Sequence, residues 1–267
     1  MSFTPIISLL TDFGTKDPYV AEMKAVVVSI CQEARIIDIS HEIEKFNICM
    51  GAFTLASAAR YFPEKTIHVA IVDPSVGTKR RPIIVETHRF FYVGPDNGIL
   101  MLSAQREEIR HVYQISDPRL MLSKVSKTFH GRDIFAPAVA YLAKGKAVSE
   151  FGPEIRDYVV PEFAKPRMKG DELLGEVLHV DDFGNIVSNI SIGDLKSIGA
   201  KENCFLNLQL KEKGLRLKFC STYGDVSANQ PLALVGSHEF LEISVNQGNA
   251  AKKFKVKIGD SIRLSRC

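Results

Sequence analysis

The stretch that most constrains the fold spans residues 67–86, where an apolar run stops at an acidic residue and restarts after a basic loop. Residues 67–72 are mostly β-branched, which predicts a buried strand. Asp73 would lie at its carboxyl end, and Arg80 and Arg81 follow on a loop that proline and glycine keep irregular. Ligands of open α/β sheets collect at such strand ends, so Asp73 and an arginine are site candidates. The alternative is a turn-capping aspartate with solvated arginines.

A second acidic residue, Asp12, follows a short apolar strand at residues 6–10 and precedes a glycine turn. Asp17 and Pro18 are typical of the N-cap and first position of a helix, whose apolar face would include residues 20, 23, 26, 27 and 30. This order of elements predicts a β-loop-α unit. Further strands are expected at residues 35–39, 83–86, 90–94 and 112–115, and a helix at 47–61.

His130 lies just ahead of another predicted helix, whose apolar face includes residues 134, 135, 139 and 142. The positive end of the helix macrodipole disfavours a charged imidazole there, so we expect a neutral ring. A neutral histidine can accept a proton. The alternative is a structural hydrogen-bonding role.

The pattern changes after about residue 160. Residues 161–169 are rich in proline and basic residues, which is typical of a linker. Beyond it the chain shows short strand-like runs at residues 173–180, 186–190, 204–210, 215–219, 232–235, 241–245, 254–258 and 261–264. Such spacing predicts a small barrel or sandwich. We therefore expect an α/β domain at residues 1–164 and an all-β domain at 170–267.

Composition narrows the class of partner. The 267 residues carry a formal charge of only +3, with basic residues scattered, so a small metabolite is favoured over nucleic acid. The sequence shows neither a signal peptide nor a membrane-spanning run, which predicts a cytoplasmic protein with no membrane partner. The five cysteines (Cys31, Cys49, Cys204, Cys220 and Cys267) form no CxxC pair, so we expect small buried hydrophobic residues instead of a zinc or disulfide framework.

Three familiar motifs are set aside. Asp12-Phe13-Gly14 and Arg132-Asp133 occur in the wrong order for a protein kinase, and no glycine-rich phosphate loop accompanies them. The loop after Asp12 is loosely similar to that of calcium-dependent nucleoside hydrolases, but Lys16 interrupts the carboxylates that such a cation needs. His41 and Glu42 are interpreted as loop structure, because nothing nearby has zinc spacing.

Six sequence blocks together carry a specific resemblance that covers nearly the whole chain. They are, in order, LLTDFGTKDPYV, IVDPSVGTKRRP, VGPDNGIL, TFHGRDIFAP, VDDFGNIVSNI and SHEFLEISVNQGNAA. The chain closely resembles the S-adenosylmethionine (SAM) hydroxide adenosyltransferases, or SAM hydrolases, which are relatives of bacterial fluorinase and chlorinase.

The resemblance implies an α/β N-terminal domain with a Rossmann-like mixed sheet and an all-β C-terminal barrel. It also implies a homotrimer with sites at subunit interfaces, and attack of water on the 5′ carbon of SAM to give adenosine and methionine. No metal or cofactor is expected. The family's catalytic triad falls on Asp73, Arg80 and His130.

By the same resemblance, six further positions contact the substrate. Asp12 would hold the ribose hydroxyls, Asp181 and Asn185 the methionine ammonium, and Ser237 the methionine carboxylate. The remaining two, Glu242 and Val245, align with a segment along the adenosine. His238 replaces an arginine of fluorinase beside the serine. The halogenases differ at His130, which favours hydrolysis, but a SAM halogenase and a non-catalytic SAM or adenosine binder stay open as alternatives.

Overall fold

The computed structural model describes residues 4–265 of the chain. The chain divides into two compact units, with the boundary between Pro161 and Glu162. Each unit has its own sheet and its own hydrophobic core. Within residues 4–265, no helix combines the length and apolar character needed to cross a membrane.

The N-terminal unit is a six-stranded mixed sheet with helices. Its elements are β1 (Ile6–Thr11), α1 (Tyr19–Ile30), β2 (Arg35–Ser40), α2 (Ile48–Ala59), β3 (Ile67–Ile71), β4 (Pro82–Thr87), β5 (Phe91–Pro95), α3 (Met101–Ala104), β6 (Ile109–Gln114) and α4 (Ala136–Ala143). The strand order is β2-β1-β3-β5-β4-β6, in which β2, β1, β3 and β5 are parallel and β4 runs antiparallel to its neighbours. The predicted α/β class is confirmed.

The central strands are buried because their residues are apolar on both faces. β3 is buried at all five positions, as expected for a strand covered by helices on each side of the sheet. The predicted face of α1 is also observed, since Val20, Met23 and Val27 are buried. The predicted cap is wrong, because Pro18 takes the N-cap position of α1 and no side chain caps this helix.

The C-terminal unit is an antiparallel barrel-like sheet. Its elements are β7 (Arg167–Lys169), β8 (Glu172–Val180), β9 (Ile186–Ser191), α5 (Ile192–Ser197), β10 (Phe205–Leu210), β11 (Lys213–Lys218), β12 (Pro231–Val235), β13 (Phe240–Val245), α6 (Ala250–Phe254) and β14 (Ser261–Ser265). The strand order is β11-β10-β14-β8-β9-β13-β12. The short strand β7, which lies in the segment predicted to be a linker, pairs with β8. Phe219, just after β11, bridges Ala233 of β12, which nearly closes the sheet.

The predicted strand at residues 254–258 is wrong, because this region ends the short helix α6. Asn249 starts that helix by accepting a hydrogen bond from the Lys252 amide at 2.7 Å. Lys255 then ends it in the left-handed conformation, with a φ of 57°. The apolar spacing of Phe254 and Val256 does not show this stop, although both side chains are buried in the barrel core.

The cysteines follow their prediction in part. Cys31 and Cys220 are buried, whereas Cys49 and Cys204 are half-buried. Cys267 lies outside the described residues.

Candidate functional site

Asp73 and Arg80 form a buried ion pair at the end of β3. The loop that leaves β3 folds back, so that Arg80 donates to Asp73 Oδ2 from Nε at 2.9 Å and from Nη2 at 2.5 Å. Only 5% of the Asp73 side chain and 6% of the Arg80 side chain are exposed. A charged pair this deeply buried is held by both charge and hydrogen bonding. The alternative of a solvated arginine is therefore wrong for Arg80.

His130 joins this pair through the same guanidinium. Arg80 Nη2 lies 2.8 Å from His130 Nδ1. Because a guanidinium can only donate, Nδ1 must accept, and the proton of the neutral ring lies on Nε2. The single lone pair of the neutral ring is thus occupied by Arg80, which leaves it unavailable to accept a proton from a ligand.

The environment of His130 favours this neutral state. Burial lowers the pKa of His130, and the nearby Arg80 charge lowers it further, against smaller opposing effects of Asp73 and Asp133. His130 also occupies the N-cap of a helical turn, Gly131–Phe135, that leads into α4. The neutral ring predicted from its place in the sequence agrees with this lowered pKa, although burial is the main cause.

A glycine allows the loops carrying Arg80 and His130 to approach each other. Gly77 has a φ of +77°, and a Cβ built on it would overlap the carbonyl oxygen of Lys127. No side chain fits between the two backbones at this point. The close approach brings residues 50 positions apart, Arg80 and His130, into contact.

The neighbouring arginine has a different role. Arg81 Nη2 donates to Asp96 Oδ2 at 2.7 Å, and Arg81 Nη1 donates to Asp157 Oδ1 at 2.8 Å. Asp96 Oδ1 in turn accepts from the Val159 amide at 2.8 Å. Arg81 therefore anchors its loop to the end of the N-terminal unit and does not touch Asp73 through any of these bonds.

The Arg132-Asp133 pair, set aside as a kinase motif, shapes the loop before His130. Asp133 is completely buried, and its Oδ2 accepts from the Ser126 amide at 2.7 Å. Its Oδ1 accepts from Arg132 Nε at 2.7 Å, and Arg132 Nη1 reaches Glu22 of α1 at 2.8 Å. These bonds fix the loop against α1 and so hold His130 in place.

Asp12, Asp73 and His130 share one cavity of about 460 Å³. Its volume lies within the range of sites for small molecules. The Asp12 carboxylate accepts from the Phe46 amide at 2.9 Å through Oδ2, and Lys45 Nζ contacts the Asp12 carbonyl oxygen. Other lining residues include Phe13, Asp17, Tyr19, Lys45, Phe46, Val76 and Phe129. The structure thus brings together all four site residues predicted in this unit, with Arg80 bound directly to Asp73.

The aromatic lining of this cavity was missed from sequence. The rings of Phe13, Tyr19 and Phe129 pack edge to face, with centroids 5.1–5.9 Å apart. Phe46, 68% exposed, also lines the cavity. Exposed and half-exposed rings at a cavity suit a planar ligand. Their place in the sequence was an available signal, because Phe13 directly follows Asp12, Phe129 directly precedes His130, and Tyr19 lies seven residues after Asp12.

In the C-terminal unit, Asp181 and Asn185 form a turn between β8 and β9. The Asn185 amide donates to Asp181 Oδ1 at 2.8 Å, and the Asn185 side chain donates to Oδ2 at 2.9 Å. Phe183, at the tip of the turn, is 79% exposed. The pair is therefore structured by its own hydrogen bonds, while the carboxylate keeps further lone pairs for a ligand.

Glu242 is a buried carboxylate on β13, 7% exposed. Its Oε1 accepts from Tyr223 and from Ser244, both at 2.7 Å. Burial, the hydrogen bond to Glu242 and the charges of Glu242 and Asp181 all raise the pKa of Tyr223. Tyr223 thus donates to Glu242 and lies within the electrostatic influence of Asp181.

The last two predicted residues lie close to Glu242 in sequence but differ in exposure. Val245, at the end of β13, is buried in the barrel core. Ser237 is exposed in the turn that joins β12 to β13. Among residues 4–265, no group of three or more histidine, cysteine, aspartate and glutamate side chains is arranged to hold a metal ion.

Comparison with known proteins finds the same family over both units. Residues 7–152 match the model of the SAM hydroxide adenosyltransferase N-terminal domain, and residues 175–263 match that of its C-terminal domain. The chain is 37% identical to a protein named (R)-S-adenosyl-L-methionine hydrolase from Methanocaldococcus jannaschii, over 97% of this chain and 95% of that protein. A protein of the same name from Thermus thermophilus is 33% identical, over 97% and 98%.

A more distant sequence relative and a solved structure also match nearly the whole chain. A fluorinase from Actinopolyspora mzabensis is 27% identical over 98% of this chain and 97% of that protein. The crystal structure of an uncharacterised conserved protein from Thermotoga maritima superimposes with a TM-score of 0.84 at 36% identity. That match covers 97% of this chain and all of the other.

Proposed function

The chain belongs to the SAM hydroxide adenosyltransferase family, and from this membership we propose that it hydrolyses S-adenosyl-L-methionine to adenosine and L-methionine. The observation that carries the proposal is the buried group of Asp73, Arg80 and His130 beside a cavity that also contains Asp12. Relatives that are 33–37% identical are named as hydrolases of this compound, whereas the fluorinase is more distant at 27%.

The reaction is a displacement at a primary carbon. The oxygen of water forms a bond to the 5′ carbon while the bond from that carbon to sulfur breaks, and its electron pair stays on sulfur. Methionine leaves as a neutral thioether, so the leaving group needs little acid help. The barrier lies in the weak nucleophile, which must be held in line and must lose a proton. No step requires a cofactor or a metal ion, and insensitivity to a chelator would be expected.

Asp73 is the proton acceptor in this proposal. The histidine lone pair is occupied by Arg80, whereas the one hydrogen bond to Asp73 Oδ1 from residues 4–265 is a long one, 3.4 Å, from the Ser75 hydroxyl. Arg80 fixes the carboxylate through Oδ2 and favours the negative charge that develops on the attacking oxygen. His130 orients Arg80 from the other side. This assignment gives the proton to Asp73 alone, whereas the sequence led us to expect that Asp73 and a neutral His130 could both accept it.

Substrate contacts follow the family resemblance. Asp12 would hold the ribose hydroxyls, because a carboxylate can accept two hydrogen bonds. The aromatic rings around the cavity would contact the planar parts of adenosine. In the other unit, Asp181 and Asn185 would bind the methionine ammonium and Ser237 its carboxylate, with Glu242 and Val245 along the adenosine.

Two broader expectations belong to the same proposal. The protein would act as a homotrimer whose sites combine the N-terminal unit of one subunit with the C-terminal unit of its neighbour. It would also be cytoplasmic, where its substrate is made and used; cell fractionation tests this.

The test is product analysis after incubation with S-adenosyl-L-methionine in both sulfonium configurations, since the relatives are named for the (R) form. Adenosine with methionine is expected. A 5′-halo-adenosine in the presence of halide would indicate a halogenase, and bound but unchanged substrate a non-catalytic binder.

Adjacent arginines provide a matched control for this assay. Arg80→Lys should reduce turnover by about 10²-fold, the scale of losing a positioned electrostatic group. Arg81→Lys, on the same loop but paired with Asp96 and Asp157, should reduce it far less. Equal losses in the two variants would contradict the role given to Arg80.

A further inference from the structure

A chain of polar side chains runs from the surface of the N-terminal unit to the buried end of β1. Lys24 Nζ contacts Asp38 Oδ2 at 2.6 Å, and Asp38 Oδ1 lies 3.1 Å from His41 Nε2. His41 Nδ1 then lies 2.9 Å from the hydroxyl of Thr11. Thr11 is completely buried and His41 is 5% exposed, whereas Lys24 and Asp38 are partly open to solvent. The catalytic proposal uses none of these four groups.

The direction of the hydrogen bonds in this chain can be assigned. His41 Nε2 and Asp38 Oδ1 are close but not well aligned for a hydrogen bond. A bare nitrogen lone pair facing a carboxylate at this distance would be repelled, so Nε2 carries the ring proton. With the single ring proton on Nε2, Nδ1 is an acceptor and Thr11 donates to it. The Thr11 oxygen in turn accepts from the Phe13 amide at 3.2 Å.

These bonds hold the backbone on both sides of Asp12. Thr11 precedes Asp12 and Phe13 follows it, and the Thr11 hydroxyl contacts both His41 and the Phe13 amide. The carbonyl oxygen of His41 also accepts from the Gly14 amide at 2.7 Å. His41 therefore fixes the turn that carries Asp12 through its side chain and through its backbone.

We propose that Thr11 and His41 are positioning residues for Asp12, setting its carboxylate for the ribose of the nucleoside. The inference rests on the proposed function, because Asp12 is the group proposed to bind that ribose. Neither residue touches the substrate in this scheme. Their effect should be on nucleoside affinity, because a ribose contact is made equally in the ground and transition states.

A second pair on the same strand provides an internal control. Ser8 and His68 are also a buried hydroxyl and histidine, with Oγ and Nδ1 2.7 Å apart. The His68 ring packs against Tyr92, Phe62 and Phe90 in the core. Ser8 lies on β1, three residues before Thr11. Ser8→Ala therefore measures how much stability is lost when a buried hydroxyl is removed from β1 without changing the Asp12 turn.

Amide replacements of His41 separate its two contacts. The amide of asparagine can occupy the region of Nδ1 and keep an acceptor for Thr11, whereas glutamine reaches the region of Nε2 and does not. Thr11→Val removes the hydroxyl at nearly constant shape, and Thr11→Ser retains it. Adenosine dissociation constants from calorimetry, kcat and KM for S-adenosyl-L-methionine, and thermal midpoints would be measured for all variants.

Thr11→Val and His41→Gln should weaken adenosine binding and raise KM by about tenfold, the effect of one hydrogen bond, with little change in kcat. Thr11→Ser and His41→Asn should stay within about threefold of the unmodified protein. Ser8→Ala should lower the thermal midpoint but leave adenosine affinity unchanged.

Two results would overturn the inference. One is a Thr11→Val protein that melts early yet binds adenosine normally, as Ser8→Ala is expected to do. The other is equal weakening by His41→Asn and His41→Gln. Failure of the proposed function is a separate outcome, since it would appear in the unmodified protein as absence of turnover and of adenosine binding.

Discussion

At the scale of single residues, His130 should give the reaction an acid limit. The neutral ring accepts a hydrogen bond from Arg80, and protonation of Nδ1 would replace this bond with repulsion between two cations. Because the pKa of His130 is lowered, the ring becomes half protonated only at a pH below the ordinary value of 6.5. We expect kcat to be constant around neutral pH and to fall at acid pH, with a midpoint below 6.5 in a pH-rate profile.

His130→Asn separates the effect of protonating residue 130 from the effect of its contact with Arg80. Its side-chain oxygen can still accept from Arg80, but an amide does not titrate in this range. The variant should keep measurable turnover and lose the acid limit that belongs to histidine, whereas His130→Ala should lose about 10²-fold, as for a positioned electrostatic contact. An unchanged acid limit in His130→Asn would show that it belongs to a group other than His130.

At the scale of elements, the site depends on how the loop after β3 packs against the loop before His130. Gly77→Ala would place a methyl group on the Lys127 carbonyl oxygen and push the two loops apart. A displacement of about 1 Å can reduce turnover by roughly 10²-fold. We expect a loss of that size in kcat.

Gly145→Ala is the matched control for this change. Gly145 also has a positive φ, of 90°, but a Cβ there would have no atom within 4 Å. Both substitutions carry the strain of a left-handed conformation, about 1 kcal/mol. Only Gly77→Ala should affect kcat in addition to the thermal midpoint. If the two variants lost turnover equally, loop packing at Gly77 would not be the cause.

At the scale of the whole molecule, the candidate residues divide between two units. Asp73, Arg80 and His130 precede the boundary after Pro161, whereas Asp181 and Asn185 follow it. If the proposed trimer combines units from neighbouring subunits, inactive Asp73→Asn and Asn185→Ala chains should regain activity when mixed. Light scattering would give the subunit number, and differently tagged chains would show exchange.

The control mixture joins Asp73→Asn with His130→Ala chains. Both changes lie in the N-terminal unit, so no mixed assembly contains an undamaged copy of that unit, and activity should not rise above that of the two separate proteins. Exchange without recovery in the first mixture would contradict sites shared between subunits.

The sequence by itself determined the two classes of fold and the family. β-Branched runs predicted β3 and most barrel strands, because local periodicity reports which backbone faces are buried. Asp73 at a strand end and His130 ahead of a helix were also correct, because each depends on residues adjacent in sequence. The six blocks identified the family before any geometry was known.

Only the tertiary structure decided how these residues contact one another. It showed that Arg80 holds Asp73 through Oδ2, and it placed the His130 lone pair against Arg80. It also brought Thr11 into contact with His41, which is 30 positions away, beside the turn that carries Asp12. Local sequence patterns carry no information about such contacts, because the packing of loops determines which distant residues become hydrogen-bond partners. At Gly77, a single added Cβ atom would keep two of these loops apart.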